Sequence, residues 1–86
     1  MSYGNRISAK EAQVLELILG GHDTGPRLAA KTGRSPQGCH QTAASLVRKG
    51  WAARQREAAV RYRVTGAGAV TLALVAKYPD LVQGSL

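Results

Sequence analysis

A chain of 86 residues makes one small domain; with 44% hydrophobic residues, no Phe and 5% aromatics, its core has to be Leu, Val, Ile and Ala, which favours packed helices over a β-sandwich. A single cysteine excludes an internal disulfide and gives no metal-ligand spacing, and no apolar run approaches the roughly 20 residues of a membrane-spanning helix. The net charge of +7 is segregated: residues 27–63 carry nine of the twelve Lys and Arg against Glu57 alone, which points to a polyanionic partner, most often nucleic acid.

Residues 1–7 read as a flexible lead-in. Ser8 opens a first helix, and Glu11 three residues on completes a capping box in which each side chain satisfies a free amide. Ile7, just before the cap, is placed to staple against the first turn. Val14, Leu15, Ile18 and Leu19 form the apolar stripe, with Leu17 on its flank, and Gly20-Gly21 stops the helix. A second helix starts at Thr24 or Gly25 with Pro26 in its first turn, buries Leu28, Ala29 and Ala30, and closes at Gly33. Only Arg34 separates that glycine from Ser35, the N-cap of the third helix, so the two helices must cross tightly. Pro36 falls at the first helical position, where its missing N–H costs nothing; Arg48 and Lys49 suit the last turn, and Gly50 supplies the left-handed stop. On this helix Cys39, Thr42, Ala43, Leu46 and Val47 share one stripe, and Gln37, His40, Gln41, Ala44, Ser45 and Arg48 share the other.

Beyond Gly50, the run Val60-Arg61-Tyr62-Arg63-Val64 alternates apolar and basic with period 2, as a half-buried strand does. Paired with a strand beginning at Trp51 it makes a hairpin whose tip lies around Arg56 to Ala58. Thr65 caps a last helix that reaches Lys77 or Tyr78, where Pro79 stops it and residues 79–86 form a tail. Ala67, Val70, Thr71, Leu74 and Tyr78 share a face expected to pack on the body. Leu72, Val75 and Ala76 lie opposite, as apolar surface without an internal partner, and are the expected homodimer interface. The fold expected is mostly α with a small β-hairpin: a winged helix-turn-helix with a three-helix core, a two-stranded wing and a C-terminal helix.

The run Leu28-Ala29-Ala30-Lys31-Thr32-Gly33-Arg34-Ser35, with Cys39, Leu46 and Lys49-Gly50-Trp51 at their spacings, resembles the winged helix-turn-helix regulators of the multiple-antibiotic-resistance-regulator (MarR) superfamily. Tyr62-Arg63-Val64-Thr65-Gly66-Ala67-Gly68 looks like the aromatic-x-Leu-Thr-x-x-Gly run that ends that family's second strand, and the resemblance covers roughly residues 8–76. Three departures stand out: Thr42 replaces the usual apolar residue in the middle of the third helix, the wing is short, and no length is expected for the family's additional dimerising helices.

The resemblance makes the helix from Ser35 to Lys49 a recognition helix, with Gln37, His40 and Gln41 meeting base edges. Gln pairs bidentately with adenine, and His donates to guanine N7 or to a phosphate. Ser35, Gly38 and the amides of the first turn suit a phosphate oxygen. Arg54, Arg56, Arg61 and Arg63 sit on the hairpin as DNA contacts: Arg56 nearest the tip is the minor-groove candidate, and Arg61 and Arg63 share a side as phosphate clamps. Lys31, Arg34, Arg48 and Arg27 are further backbone candidates. Cys39 reads as a small core residue, with a redox-sensing thiol as the sharper alternative, which needs exposure. His22-Asp23 and Cys39-His40 are the sole hints of a metal, and adjacent ligands on a helix point to different faces.

No nucleophile elbow or phosphate loop is present, and Gly66-Ala67-Gly68 lacks a third glycine and a βαβ context, so no enzyme and no cofactor are expected. The leading expectation is a cytoplasmic, sequence-specific double-stranded DNA-binding protein, a small transcriptional regulator acting as a homodimer away from membranes. The alternative is a winged helix that docks an acidic protein partner within a larger complex. RNA binding is a third possibility, weakened by the lack of exposed aromatic platforms.

Overall fold

The computed structural model of the protein describes residues 6–56 and 60–83. A short strand β1 (Ile7–Ser8) leads into helices α1 (Ala9–Leu19), α2 (Gly25–Thr32) and α3 (Pro36–Arg48). Strands β2 (Ala52–Arg56) and β3 (Val60–Val64) follow, then helix α4 (Gly66–Lys77), a 3-10 turn (Pro79–Leu81) and strand β4 (Val82–Gln83). The fold is the mostly helical winged helix expected from the sequence.

A hydroxyl caps each of these helices, because Ser and Thr leave the helical conformation easily and offer an acceptor to an orphan amide. Ser8, Thr24, Ser35 and Thr65 each accept from the N–H three residues on, and Ser8 with Glu11 completes the reciprocal box. Gly21, Gly33 and Gly50 carry positive φ where the chain leaves α1, α2 and α3. The short α2–α3 turn therefore comes from two adjacent local signals, a left-handed glycine and a Ser-Pro start.

Val14, Leu15, Leu28, Cys39 and Leu46 are completely enclosed where α1, α2 and α3 meet. Ile18, Ala43, Trp51, Ala52, Tyr62 and Leu72 extend the core towards the wing and α4. Leu19, expected on the α1 stripe, is 60% exposed, and Ala30 of α2 is exposed as well. Each sits one position past the buried arc of a helix, where 100° of rotation per residue carries the side chain out.

Two residues from the inner edge of the expected lead-in and tail regions pair with each other across the fold. Ile7 is buried and pairs in parallel with Val82, and Ser8 pairs with Gln83. Residues 1–5 and 84–86 lie outside the described residues, as does the hairpin tip at 57–59.

The packing face of α4 is the reverse of the one expected. Gly68 and Leu72 are buried and Val75 packs against the core, whereas Val70 is 60% exposed and Leu74 and Tyr78 are exposed too. Leu72 is therefore a core residue, Val75 is half-buried against the core, and of that expected interface trio Ala76 is exposed. The helix is apolar almost all round, so periodicity could not choose a side. Gly68 chose it: a side chain there would run into the carbonyl of Trp51, so the helix seats its glycine on that backbone. Positions 68, 72 and 75 then follow one face.

Candidate nucleic-acid interface

The third helix presents one clean outward stripe. Gln37, Gln41 and Arg48 are exposed and Ala44 is half-buried, at spacings of four, three and four that keep them on one side of α3. Ser35 is exposed at the start of this stripe, while Gly38 is half-buried and its N–H is already taken by Ser35 Oγ at 3.0 Å. Two residues assigned to the outer face turn inward instead. Ser45 donates from Oγ to Glu11 Oε2 on α1 at 2.6 Å. His40 is half-buried, with Nδ1 2.6 Å from the hydroxyl of Tyr62 on β3.

The wing is built by the register Ala52↔Val64, Ala53↔Arg63, Arg54↔Tyr62, Gln55↔Arg61 and Arg56↔Val60. Directly paired residues share a face of the ribbon, so its four arginines divide two and two. Arg54 and Arg56 lie on the face of Tyr62, which is turned towards α3, and Arg61 and Arg63 lie on the opposite face; all four are exposed. Tyr62 is itself buried, and its N–H donates to the Asp23 carbonyl at 2.9 Å. Burial pushes its phenol pKa up, an effect that the nearby charges of Arg54 and Arg56 only partly offset.

The remaining cations have different degrees of freedom. Lys31 is exposed. Arg34 is half-buried in the α2–α3 turn, with Nε and Nη2 enclosed and without a hydrogen-bond partner. Arg27 pairs with Asp23 at 3.1 Å on the surface. Lys49 is committed to structure: its Nζ donates to both oxygens of Glu11, at 2.8 and 2.9 Å, and to the carbonyl of Arg6 at 2.6 Å. Burial, the largest single influence on the Glu11 carboxyl, raises its pKa, but hydrogen bonds from Lys49, Ser45 and the Ser8 amide, with the charge of Lys49, bring it below the ordinary value.

The sequence missed this buried Glu11–Ser45–Lys49 cluster because the capping box already explained Glu11. The signal was the pair Ser45 and Lys49 at i,i+4, on the last turn of α3 and its C-cap, a polar seam facing the start of α1. It also missed the His40–Tyr62 contact, although a tyrosine at a core-facing strand position has to find a partner for its hydroxyl.

Cys39 is fully buried, with Sγ 3.4 Å from Thr32 Oγ1, so it fills core volume and offers no exposed thiol. Among the described residues, no three His, Cys, Asp or Glu side chains gather where they could hold a metal ion. No helix among them is long and apolar enough to cross a membrane.

The architecture has a close counterpart among solved structures. The chain superposes on a mutant of Lactococcus lactis ZitR with a TM-score of 0.75 over 93% of its own length, at 15% sequence identity. That likeness is one of fold, and this chain spans 57% of the length of the ZitR chain. No protein-family model and no curated protein matches the sequence.

Proposed function

We propose that this protein is a sequence-specific double-stranded DNA-binding protein, a small cytoplasmic transcriptional regulator of MarR-like type that acts as a homodimer. The observation that carries the reading is the exposed stripe Gln37–Gln41–Arg48 on α3, flanked by the four exposed arginines of the wing. An α-helix fits the major groove, where Gln37 and Gln41 have the reach and the paired donor and acceptor to read adenine. Arg48 and Lys31 face phosphates around that helix, with Arg34 half-buried in the turn beside it, and the wing arginines grip the backbone or the neighbouring minor groove. Ser35 shapes the helix start against a phosphate. Regulation of transcription is also in keeping with the winged-helix fold shared with ZitR. The chemistry is binding alone, with no reaction and no cofactor.

Mobility-shift titration with random-sequence duplex, followed by selection of preferred sites, tests this. If about five cations neutralise phosphates, log K should fall against log salt with a slope of roughly −4 to −5. Arg61→Ala should weaken every sequence alike by about one contact, while Gln41→Ala should flatten the base preference at one position by about 1–3 kcal/mol. No duplex binding at low salt would turn the assignment to the protein-docking module, whose basic surface would then meet an acidic protein.

A further inference from the structure

We propose that the His40–Tyr62 hydrogen bond is a latch that holds the wing in register with α3, making His40 and Tyr62 positioning residues for duplex DNA; the inference rests on the DNA-binding reading above. Three separate parts of the chain converge on this pair. Nδ1 of His40, on α3, and the hydroxyl of Tyr62, on the wing, lie 2.6 Å apart, with ring centroids at 5.7 Å and planes tilted by 54°. Gly25, the buried first residue of α2, closes the other side of the imidazole: a Cβ there would overlap Nε2. The Tyr62 N–H reaches back to the Asp23 carbonyl, just before α2, at 2.9 Å.

The arrangement leaves His40 unsuited to read a base. Nδ1 is bonded to Tyr62 and Nε2 lies against Gly25. The Tyr62 hydroxyl donates to Nδ1 or accepts from it according to the tautomer of the ring, and one tautomer is favoured as long as the bond is made. Arg54 stands directly opposite Tyr62 in the ladder, and Arg56 lies on the same face two residues nearer the tip. A two-stranded ribbon is marginal by itself and takes its angle from what its inner face is attached to. Together with the Tyr62 N–H bond to Asp23, the side-chain bond therefore sets where Arg54 and Arg56 stand relative to the stripe on α3. A charge-assisted contact to a phosphate tolerates only a few tenths of an ångström of misplacement before it weakens, so a slack hinge removes both.

Tyr62→Phe removes the hydroxyl and keeps the ring. It should weaken binding to random-sequence duplex by about three- to tenfold, the worth of one hydrogen bond. As Arg54 and Arg56 drop out, the salt slope should become shallower by about one to two, a change that loss of stability alone does not produce. His40→Ala should do the same, and the double variant should be no worse than either single one. Selected site preference should stay as in the wild type for all three. In the free protein, ring-nitrogen NMR should report one His40 tautomer for the wild type and a mixture for Tyr62→Phe.

Should Tyr62→Phe fail to fold, Gly25→Ala displaces the ring with Tyr62 intact and should weaken binding in the same way. Wild-type affinity and slope in a folded Tyr62→Phe protein would overturn the latch. So would a changed base preference in His40→Ala that Tyr62→Phe lacks, since His40 would then be a reader. A wild type that shows one His40 tautomer but never binds duplex would overturn the DNA-binding reading, leaving the bond without a role in binding.

Discussion

Glu11 shows how much one side chain can be asked to do. Its carboxylate receives the Ser8 amide at 2.9 Å, Ser45 Oγ at 2.6 Å and Lys49 Nζ at 2.8 Å, tying the start of α1 to the last turns of α3. The side chains of Glu11 and Lys49 are 9% and 21% exposed, so solvent screens the pair weakly. Replacing Glu11 by Gln keeps the size but leaves an ammonium without its counter-charge, and should cost about 1–3 kcal/mol in urea denaturation. The pH dependence follows from the direction of the shift. Because the folded carboxyl is held below the ordinary carboxylate value, its contribution is present at neutral pH. It is lost as the pH falls through the ordinary range towards the folded value. The stability gap between wild type and Glu11→Gln should therefore close in acid; a gap that persists there would deny the charge its part.

Among the elements, α4 is the one whose orientation had to be found. Its buried edge is Gly68, Leu72 and Val75, and its exposed edge includes Val70 and Leu74. Leu72→Ala should create a cavity and cost about 2–4 kcal/mol. Val70→Ala, on the outer edge, should stay within about 0.5 kcal/mol. Thermal or urea unfolding of the two variants at low concentration separates them. Equal losses would mean that the helix sits on the body in some other way. The hydroxyl of Thr65 donates to the Gly50 carbonyl at 2.6 Å, and its N–H donates to the Trp51 carbonyl at 3.0 Å, so the start of α4 is hydrogen-bonded to the chain just after α3.

Across the described residues, most of the exposed arginine charge and most of the exposed apolar surface occupy different elements. The wing and the outer stripe of α3 carry five exposed arginines, whereas Val70, Leu74, Tyr78 and Leu81 lie on α4 and the turn after it. That division suits the proposed homodimer, with two copies joined through α4 and the Gln37–Arg48 stripe of each left free for the proposed DNA contact. Light scattering tests it. The wild type should reach twice the monomer mass as concentration rises, and Leu74→Glu should remain monomeric. A wild type that stays monomeric at high concentration would remove the dimer. Leu72→Glu would not serve as the disrupting variant, because a charge at that buried site unfolds the core.

Much of this molecule was legible from local chemistry. Ser8 with Glu11, Thr24 with Pro26, Ser35 with Pro36, and Thr65 declare their helix starts through neighbours within three residues, and Gly33 and Gly50 declare the ends. The alternation at residues 60–64 declares a strand with Tyr62 inside and its arginines outside. The exposed half of the candidate site, Gln37, Gln41 and Arg48, followed from helical spacing alone. What the tertiary structure decided were pairings between residues far apart in the chain: His40 with Tyr62, Glu11 with Lys49, Ile7 with Val82 and Gly68 with Trp51. Periodicity can say that His40 lies beside a polar stripe or that α4 is apolar. It carries no information about which neighbour will meet that face, because burial is a property of the assembled layers and not of any one helix.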